Sequence, residues 1–324
     1  MRAIQPGDVF CVYSEKITKY GAIQVTAELS GKASVVILDY LSDRMLKETE
    51  LKSLKPRYTD RWFYDHNIEQ YFTGSAQIAS KFTFIGSTEL VTNEKCISNT
   101  LWPTADIIED IEDEYDWLQI PASIREPFKK EQKDPGEIIL GGKTCKRNSG
   151  GVGDIVLSGL KDFSELDGLS YLARIYALHF YDGLIPYLQK RRMIRMLSLR
   201  SHGKKELDFR GTHLRAMELD GSGLEKLFIN DSLNRLEIFG KISPSLKIIS
   251  ETNGRDLGYL HIHMGKGSSC DFDLPELKGL KLTGIGDFDL EQITGYRRIE
   301  SLRLFGNPGN IINMEKLSLL PGLD

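Results

Sequence analysis

The chain lacks the marks of several protein classes at once. Its four cysteines, Cys11, Cys96, Cys145 and Cys270, stand far apart with no C-x-x-C pair, which excludes the spacing of a zinc site or a disulfide framework. They read as buried or idle thiols. No run of roughly eighteen apolar residues occurs, and the opening MRAIQPGDVFCVYSEK lacks the apolar stretch of a secretory signal. A cytoplasmic protein without membrane contact is therefore expected. Nor is there a basic excess, since the net charge is -4, which argues against direct nucleic-acid binding.

Signatures of catalysis are missing too. Six histidines are scattered along the chain without a G-x-S-x-G or H-E-x-x-H motif. The segment GEIILGGKT has the glycines of a phosphate-binding loop, but its first glycine, Gly136, falls one residue too early for Lys143 and Thr144. No catalytic residue, cofactor or metal is assigned, and an enzyme is not expected.

What is present is the composition of an ordinary folded protein, 40% hydrophobic and 27% charged over 324 residues. At about 100 to 200 residues per domain, that length suggests two domains. The second half carries a repeat of the form L-x-x-L-x-L: IRMLSL, LRAMEL, LNRLEI, LGYLHI, LKGLKL and IESLRL, with ARIYALHF upstream. Taking the second apolar residue as marker gives Leu178, Leu197, Met217, Leu236, Leu260, Leu280 and Leu302, in steps of 19, 20, 19, 24, 20 and 22. DIVL, ending at Leu157, reads as a degenerate first copy. This period is that of a leucine-rich repeat, in which one coil cannot bury its own apolar edge but stacked coils share a continuous core. KELDF at Leu207 and LEKLFI at Leu227 fall midway and are read as the return side of each coil. Turns are marked by Asp220-Gly221, Asn253-Gly254, Gly265, Gly284 and Asn307-Pro308.

The first 130 residues differ. Asp8 to Val12, Ala22 to Ala27, Ser34 to Leu38 and Lys81 to Ile85 are short runs rich in β-branched and aromatic residues, read as strands of a small sheet. In LWPTADIIEDIEDEYDWL, the spacing of Ile107, Ile108, Ile111, Tyr115 and Leu118 predicts a helix with Thr104 as its cap. The fold class expected is thus α+β: a small twisted β-sheet or SH3-like barrel with an acidic helix over 1–130, a Gly- and charge-rich linker over 131–153, and a leucine-rich-repeat solenoid over 154–324.

Two groups of residues are candidate partner contacts. The helix carries seven acids and no base, namely Asp106, Glu109, Asp110, Glu112, Asp113, Glu114 and Asp116, flanked by Trp102 and Trp117 as anchors or core. Residues 1–135 hold 22 acids against 16 bases, so the acidity of the chain belongs to this half. The run reads either as a solvated helix face or as a negative surface that steers a basic partner. In the solenoid, residues alternating with the inward apolar ones line the concave side. One row reads His179, Ser198, Glu218, Glu237, His261, Lys281 and Arg303, and the next Tyr181, Arg200, Asp220, Phe239, His263, Thr283 and Phe305. Of these, Tyr181, Arg200, Glu218, Asp220, Glu237, Phe239, His261, His263, Arg303 and Phe305 combine charge with aromatic surface, the chemistry enriched at protein interfaces. His261 and His263 share a face with Glu218 and Glu237 nearby, a zinc arrangement weighed against plain contact residues, which are preferred.

PGDVFCVYSEKITKYGAIQV, followed by VVILDYLSD, resembles the opening of the immunity protein 26 family, at Gly7, Asp8 and Phe10, then Tyr20 and Gly21, then Leu38 and Asp39. The resemblance covers about the first 45 residues and implies a bacterial immunity protein that protects its producer by binding a cognate toxin, frequently a nuclease. An acidic domain suits a basic toxin of that kind. The alternative is a leucine-rich-repeat adaptor or scaffold with a partner unrelated to toxins.

Overall fold

The computed structural model describes residues 3–59, 61, 67–96, 104–123, 125–126, 136–147, 149–169, 172–243, 245–254, 257–264, 272–306 and 310–323, without the side chains of residues 77 and 104–106. Trp102, Gly265, Cys270, Asn307 and Pro308 lie outside the described residues. The chain is a mixed α/β protein with many strands and few helices, in two compact units, 1–130 and 131–324. Among the described residues no helix is long and apolar enough to cross a membrane.

In the first unit, β1 (Asp8–Ser14), β2 (Lys19–Leu29), β3 (Lys32–Ser42), β4 (Gln70–Gly74) and β5 (Thr83–Ser87) form an antiparallel sheet in the order β4-β3-β2-β1-β5. Among the described residues β4 and β5 remain edges, so the sheet is open. Ser30 and Gly31, both at positive φ (51° and 82°), make the two-residue turn between β2 and β3 whose twist matches the strands. Both faces of the sheet are covered. Phe10, Val12, Ile23, Val35 and Ile37 pack on one side, and Val9, Cys11, Ala22, Val36 and Leu38 on the other, which explains continuous apolar runs in place of alternation.

Helices α1 (Ser75–Lys81) and α2 (Thr104–Leu118) cover the first face through Ile78, Ile107 and Ile111. Gly21 is the point of closest approach, because a Cβ there would come within 2.5 Å of the Ile111 Cδ1. Leu118 was expected on the apolar face but is 44% exposed. The helix ends there, and burial passes to Trp117 and Ile120.

In the second unit, the segment expected as a linker is structured from residue 136 on. β6 (Glu137–Leu140) and β7 (Lys143–Lys146) form a hairpin turned by Gly141 and Gly142, both at positive φ, so the glycines of GEIILGGKT serve a turn. Its Leu140 and Ile138 pack into the core of the unit. The charged, four-residue strands conceal this in the sequence. β8 (Gly151–Gly153) then enters the main sheet, and DIVL forms the short helix α3 (Asp154–Leu157), not a first strand.

That main sheet continues through β9 (Arg174–Ala177), β10 (Met196–Leu199), β12 (Ala216–Asp220), β14 (Arg235–Phe239), β16 (Tyr259–His263), β17 (Gly279–Ile285) and β19 (Ser301–Gly306), eight strands with every pairing parallel. Helix α4 (Leu184–Lys190) lies between β9 and β10. Register aligns one row of core residues: Val152, Ile175, Leu197, Met217, Leu236, Leu260, Leu280 and Leu302. The return passages pair too. β11 (Glu206–Asp208), β13 (Lys226–Phe228) and β15 (Lys247–Ile249) form a second parallel ladder that aligns Leu207 with Leu227, and β18 (Phe288–Asp289) pairs with β20 (Ile311–Ile312).

On β9 the row is held by Ile175, not by the expected Leu178, which is 54% exposed. Both Ile175-x-Ala177 and Leu178-x-Phe180 fit the alternation in ARIYALHF. The smaller Ala177 hides the true register, which lies three residues earlier.

Candidate partner-binding face

Residues that alternate with the buried row project from the other side of the sheet. Strand register places Tyr176, Ser198, Glu218, Glu237, His261, Lys281 and Arg303 side by side in one outward row. A second row holds the pair Asp220 and Phe239, then His263, Thr283 and Phe305. Because the first strand lies three residues earlier than expected, His179 and Tyr181 fall outside these rows. Tyr181 belongs instead to the capped end, where its hydroxyl donates to the Asp154 carboxylate at 2.6 Å and its ring meets Phe163.

The face is built from cation–aromatic stacks and ion pairs. The Arg200 guanidinium lies 4.6 Å from the centre of the Phe239 ring and reaches Glu218 at 3.2 Å, where Ser198 also donates. Arg235 donates to Glu237 at 2.8 Å and lies 5.4 Å from the Tyr259 ring. Lys281 lies 5.6 Å from the ring of Phe305. Arg303 and Phe305 are exposed on the last strand. Asp220 is partly committed to its own turn, since its Oδ1 accepts the Ser222 N–H at 2.9 Å.

A hydrogen-bonded chain crosses three strands. His261 Nδ1 lies 3.3 Å from Glu237 Oε2, while His261 Nε2 and His263 Nδ1 each lie 3.1 Å from Thr283 Oγ1. Burial, aided by Lys281, lowers the His261 pKa against the pull of Glu237. Burial also works to raise the Glu237 carboxyl, but Arg235 and His261 outweigh it and the net shift is downward. A neutral His261 facing an ionised Glu237 carries its proton on Nδ1. Thr283 then donates to Nε2, and His263 donates to Thr283, because a hydroxyl has a single hydrogen to give. Among the described residues no three His, Cys, Asp or Glu side chains gather as a metal site.

The acidic helix behaves differently from either reading of its sequence. Asp110 and Glu114 turn toward Arg61, at 2.8 and 3.5 Å, and Arg61 also pairs with the buried Glu69. Glu112 accepts from Ser14 Oγ at 2.6 Å and lies 3.7 Å from Lys16. Burial raises the Asp110 pKa, with Glu69 and Asp113 adding to the rise and Arg61 opposing it. Burial disfavours the Arg61 charge, yet Glu69 and Asp110 hold its pKa above the ordinary value. The run is therefore not one negative surface, because three of its acids are spent inside the unit. Glu109, Asp113 and Asp116 are half-buried, and the Asp106 side chain lies outside the described residues.

These pairings were missed in the sequence for a simple reason. Arg61 and Asp110 stand 49 positions apart with no shared period. The Arg200–Phe239 stack was legible in principle, since both residues fall in one row two coils apart once the register is known.

No family model matches the chain, and no curated protein matches it. Among solved structures, the crystal structure of an internalin (inlF) from Listeria monocytogenes is similar at 16% identity, with a TM-score of 0.19, over 51% of this chain and 63% of that one. The chain thus matches less than two thirds of the internalin chain's length.

Proposed function

We propose that the second unit is a leucine-rich-repeat solenoid and that its outward rows bind a partner protein. The observation that carries this reading is the set of stacks across the sheet: Arg200 on Phe239, Arg235 on Tyr259 and Lys281 on Phe305. Aromatic and arginine side chains dominate interface energetics, and groups already held in place lose less freedom on binding. The partner is a protein, with no direct nucleic-acid or membrane contact.

On this reading the whole chain is an immunity protein that binds and neutralises a cognate bacterial toxin, a nuclease, and catalyses nothing itself. The resemblance at Gly7, Asp8, Phe10 and Gly21 supports it. Co-expression with the product of the adjacent gene tests it, with rescue of growth and a stable complex as the expected result. Arg200→Ala combined with Phe239→Ala weakens that complex. Neither rescue nor a complex on gel filtration ends the toxin reading.

A second reading, an adaptor or scaffold with a cellular partner, is favoured by the inward turn of Asp110, Glu112 and Glu114. That turn leaves less negative surface for a basic toxin. A complex with a neighbour that carries no toxicity selects this reading.

A further inference from the structure

The two ends of the parallel sheet are finished differently. At the β8 end the hairpin and the segment after it cover the core: Leu140, Leu157 and Leu166 are 1%, 2% and 1% exposed. At the other end, β19 is an edge strand, and among the described residues nothing pairs with its outer side. Its inward leucines, Leu302 and Leu304, are half-buried, where their register partners Leu280 and Leu282 are 1% and 0% exposed. Beside them runs an open groove of about 390 Å³, lined by Leu302, Leu304, Ile311, Met314, Leu317 and Leu323. Met314 and Leu319, on the last short helical turn, are each 55% exposed.

The outward side of the same edge is positive. Lys281 and Arg303 are register neighbours, and among the described residues neither has a carboxylate within ion-pair distance. Of the acids elsewhere on the face, Glu218 and Glu237 are held by Arg200, Arg235 and His261, and Asp220 accepts the Ser222 N–H of its own turn. At the open end of the face the uncompensated charge is therefore cationic. Glu300, the one acid lining the groove, sits at the start of β19.

An exposed edge is a template for another strand, and the alternation of side chains then dictates what that strand must carry. Positions beside Leu302 and Leu304 meet a half-open apolar core, while positions beside Arg303 meet cations that no described carboxylate neutralises. We propose that the β19 edge takes an extended segment of a partner protein by strand addition, and that this segment alternates acidic with apolar residues. Backbone hydrogen bonds supply affinity, the groove accepts the apolar side chains, and Arg303 with Lys281 selects the acids. The inference rests on the reading of the second unit as a partner-binding surface, but not on the partner being a toxin.

The test uses the full chain and five labelled ten-residue peptides, followed by fluorescence anisotropy. One alternates Glu with Val, one alternates Lys with Val, and one has the Glu/Val composition with the alternation scrambled. The last two are the alternating Glu/Val peptide N-methylated on one or the other set of alternate residues. The alternating acidic peptide is expected to bind at least about tenfold more tightly than the basic and scrambled ones. N-methylation of only one set abolishes binding, because only one edge of the peptide pairs. Lys281→Glu with Arg303→Glu reverses the preference toward the basic peptide, whereas Lys205→Glu, beside the return strands and away from the outward rows, leaves it unchanged.

Equal binding of all peptides, or indifference to N-methylation, overturns the proposal. So does a concentration-dependent dimer in sedimentation velocity that Leu304→Lys dissolves, since the edge would then serve a second copy of the chain. Preference for single-stranded nucleic acid over every peptide overturns it as well. Failure of toxin rescue leaves the peptide result standing, and failure of the peptides leaves rescue standing, so the two readings fall separately.

Discussion

Around Arg61 the first unit turns its charges inward, and on its outward rows the second lays them out. Arg61 is 6% exposed and reaches three carboxylates, Glu69, Asp110 and Glu114. Arg200 and Arg235, 51% and 59% exposed in their side chains, each hold one carboxylate on an open face. The difference teaches that a count of acids does not locate a charged surface. A helix with seven acids in eleven positions spends at least three of them on internal partners. A half of the chain that is nearly neutral presents a cationic edge.

The largest effect that sharpens this contrast comes from cutting one arginine in each unit. Arg61→Met leaves buried carboxylates without their cation and is expected to cost about 3 to 5 kcal/mol. Arg235→Met removes an exposed pair and is expected to cost at most about 1 kcal/mol. All three tryptophans, Trp62, Trp102 and Trp117, lie in the first unit, so their emission in urea follows that unit alone, while circular dichroism follows both. Equal losses in the two variants would remove the distinction.

Next in size is the core behind the eight-stranded parallel sheet. Leu236 and Leu260 are fully buried between neighbouring strands, and Leu236→Ala or Leu260→Ala is expected to cost about 2 to 5 kcal/mol. Leu302 occupies the equivalent position on the open strand but is only half-buried, so Leu302→Ala costs measurably less. Similar denaturation midpoints for Leu260→Ala and Leu302→Ala would mean that the β19 edge is covered in solution.

Asp110 and Glu237, one in each unit, differ in the sign of their pH response. Burial, reinforced by Glu69 and Asp113, raises the Asp110 pKa in the folded state. That group's contribution is present at acid pH and is lost as pH rises from the ordinary carboxylate range toward the raised value. Glu237 is shifted the other way, so its contribution is present above the ordinary range and is lost as pH falls through its lowered value. Asp110→Asn should therefore remove a loss of tryptophan-monitored stability on the way up in pH. Glu237→Gln should remove a loss of dichroism-monitored stability on the way down. The same sign in both differences would contradict the contrast.

Much of the fold was legible because burial leaves a period. The β-branched runs of β1 to β3 and the leucines from Leu197 to Leu302 announce strands, and Leu207 and Leu227 announce the return ladder. Legibility failed where the period was weak or the partner remote. Ala177 is too small to mark an inward position, the charged strands of the β6–β7 hairpin look like a linker, and α1 is only seven residues long. Of the site, the outward rows from Ser198 onward followed from the register of the leucines, whereas their expected first members, His179 and Tyr181, did not. The Arg61 network did not, since nothing in the spacing links Arg61 to Glu69 and Asp110. Nor did the proton order along Glu237, His261, Thr283 and His263, which depends on three strands at once.

The smallest expected effect asks whether any of the helix's charge is left for a partner. Asp110 and Glu114 are committed to Arg61 and Glu112 to Ser14 and Lys16, whereas Glu109 and Asp116 are half-buried on the same helix outside the Arg61 pairs. If the chain meets a basic toxin, Glu109→Lys with Asp116→Lys slows association about two- to fivefold at low ionic strength and leaves dissociation nearly unchanged, because rim charges act on encounter. The effect fades near 0.15 M salt, where the screening length falls to about 8 Å. Stopped-flow mixing with the toxin at two salt concentrations measures it. An unchanged association rate at low salt would confine the acidic run to its structural work around Arg61 and leave partner recognition to the second unit.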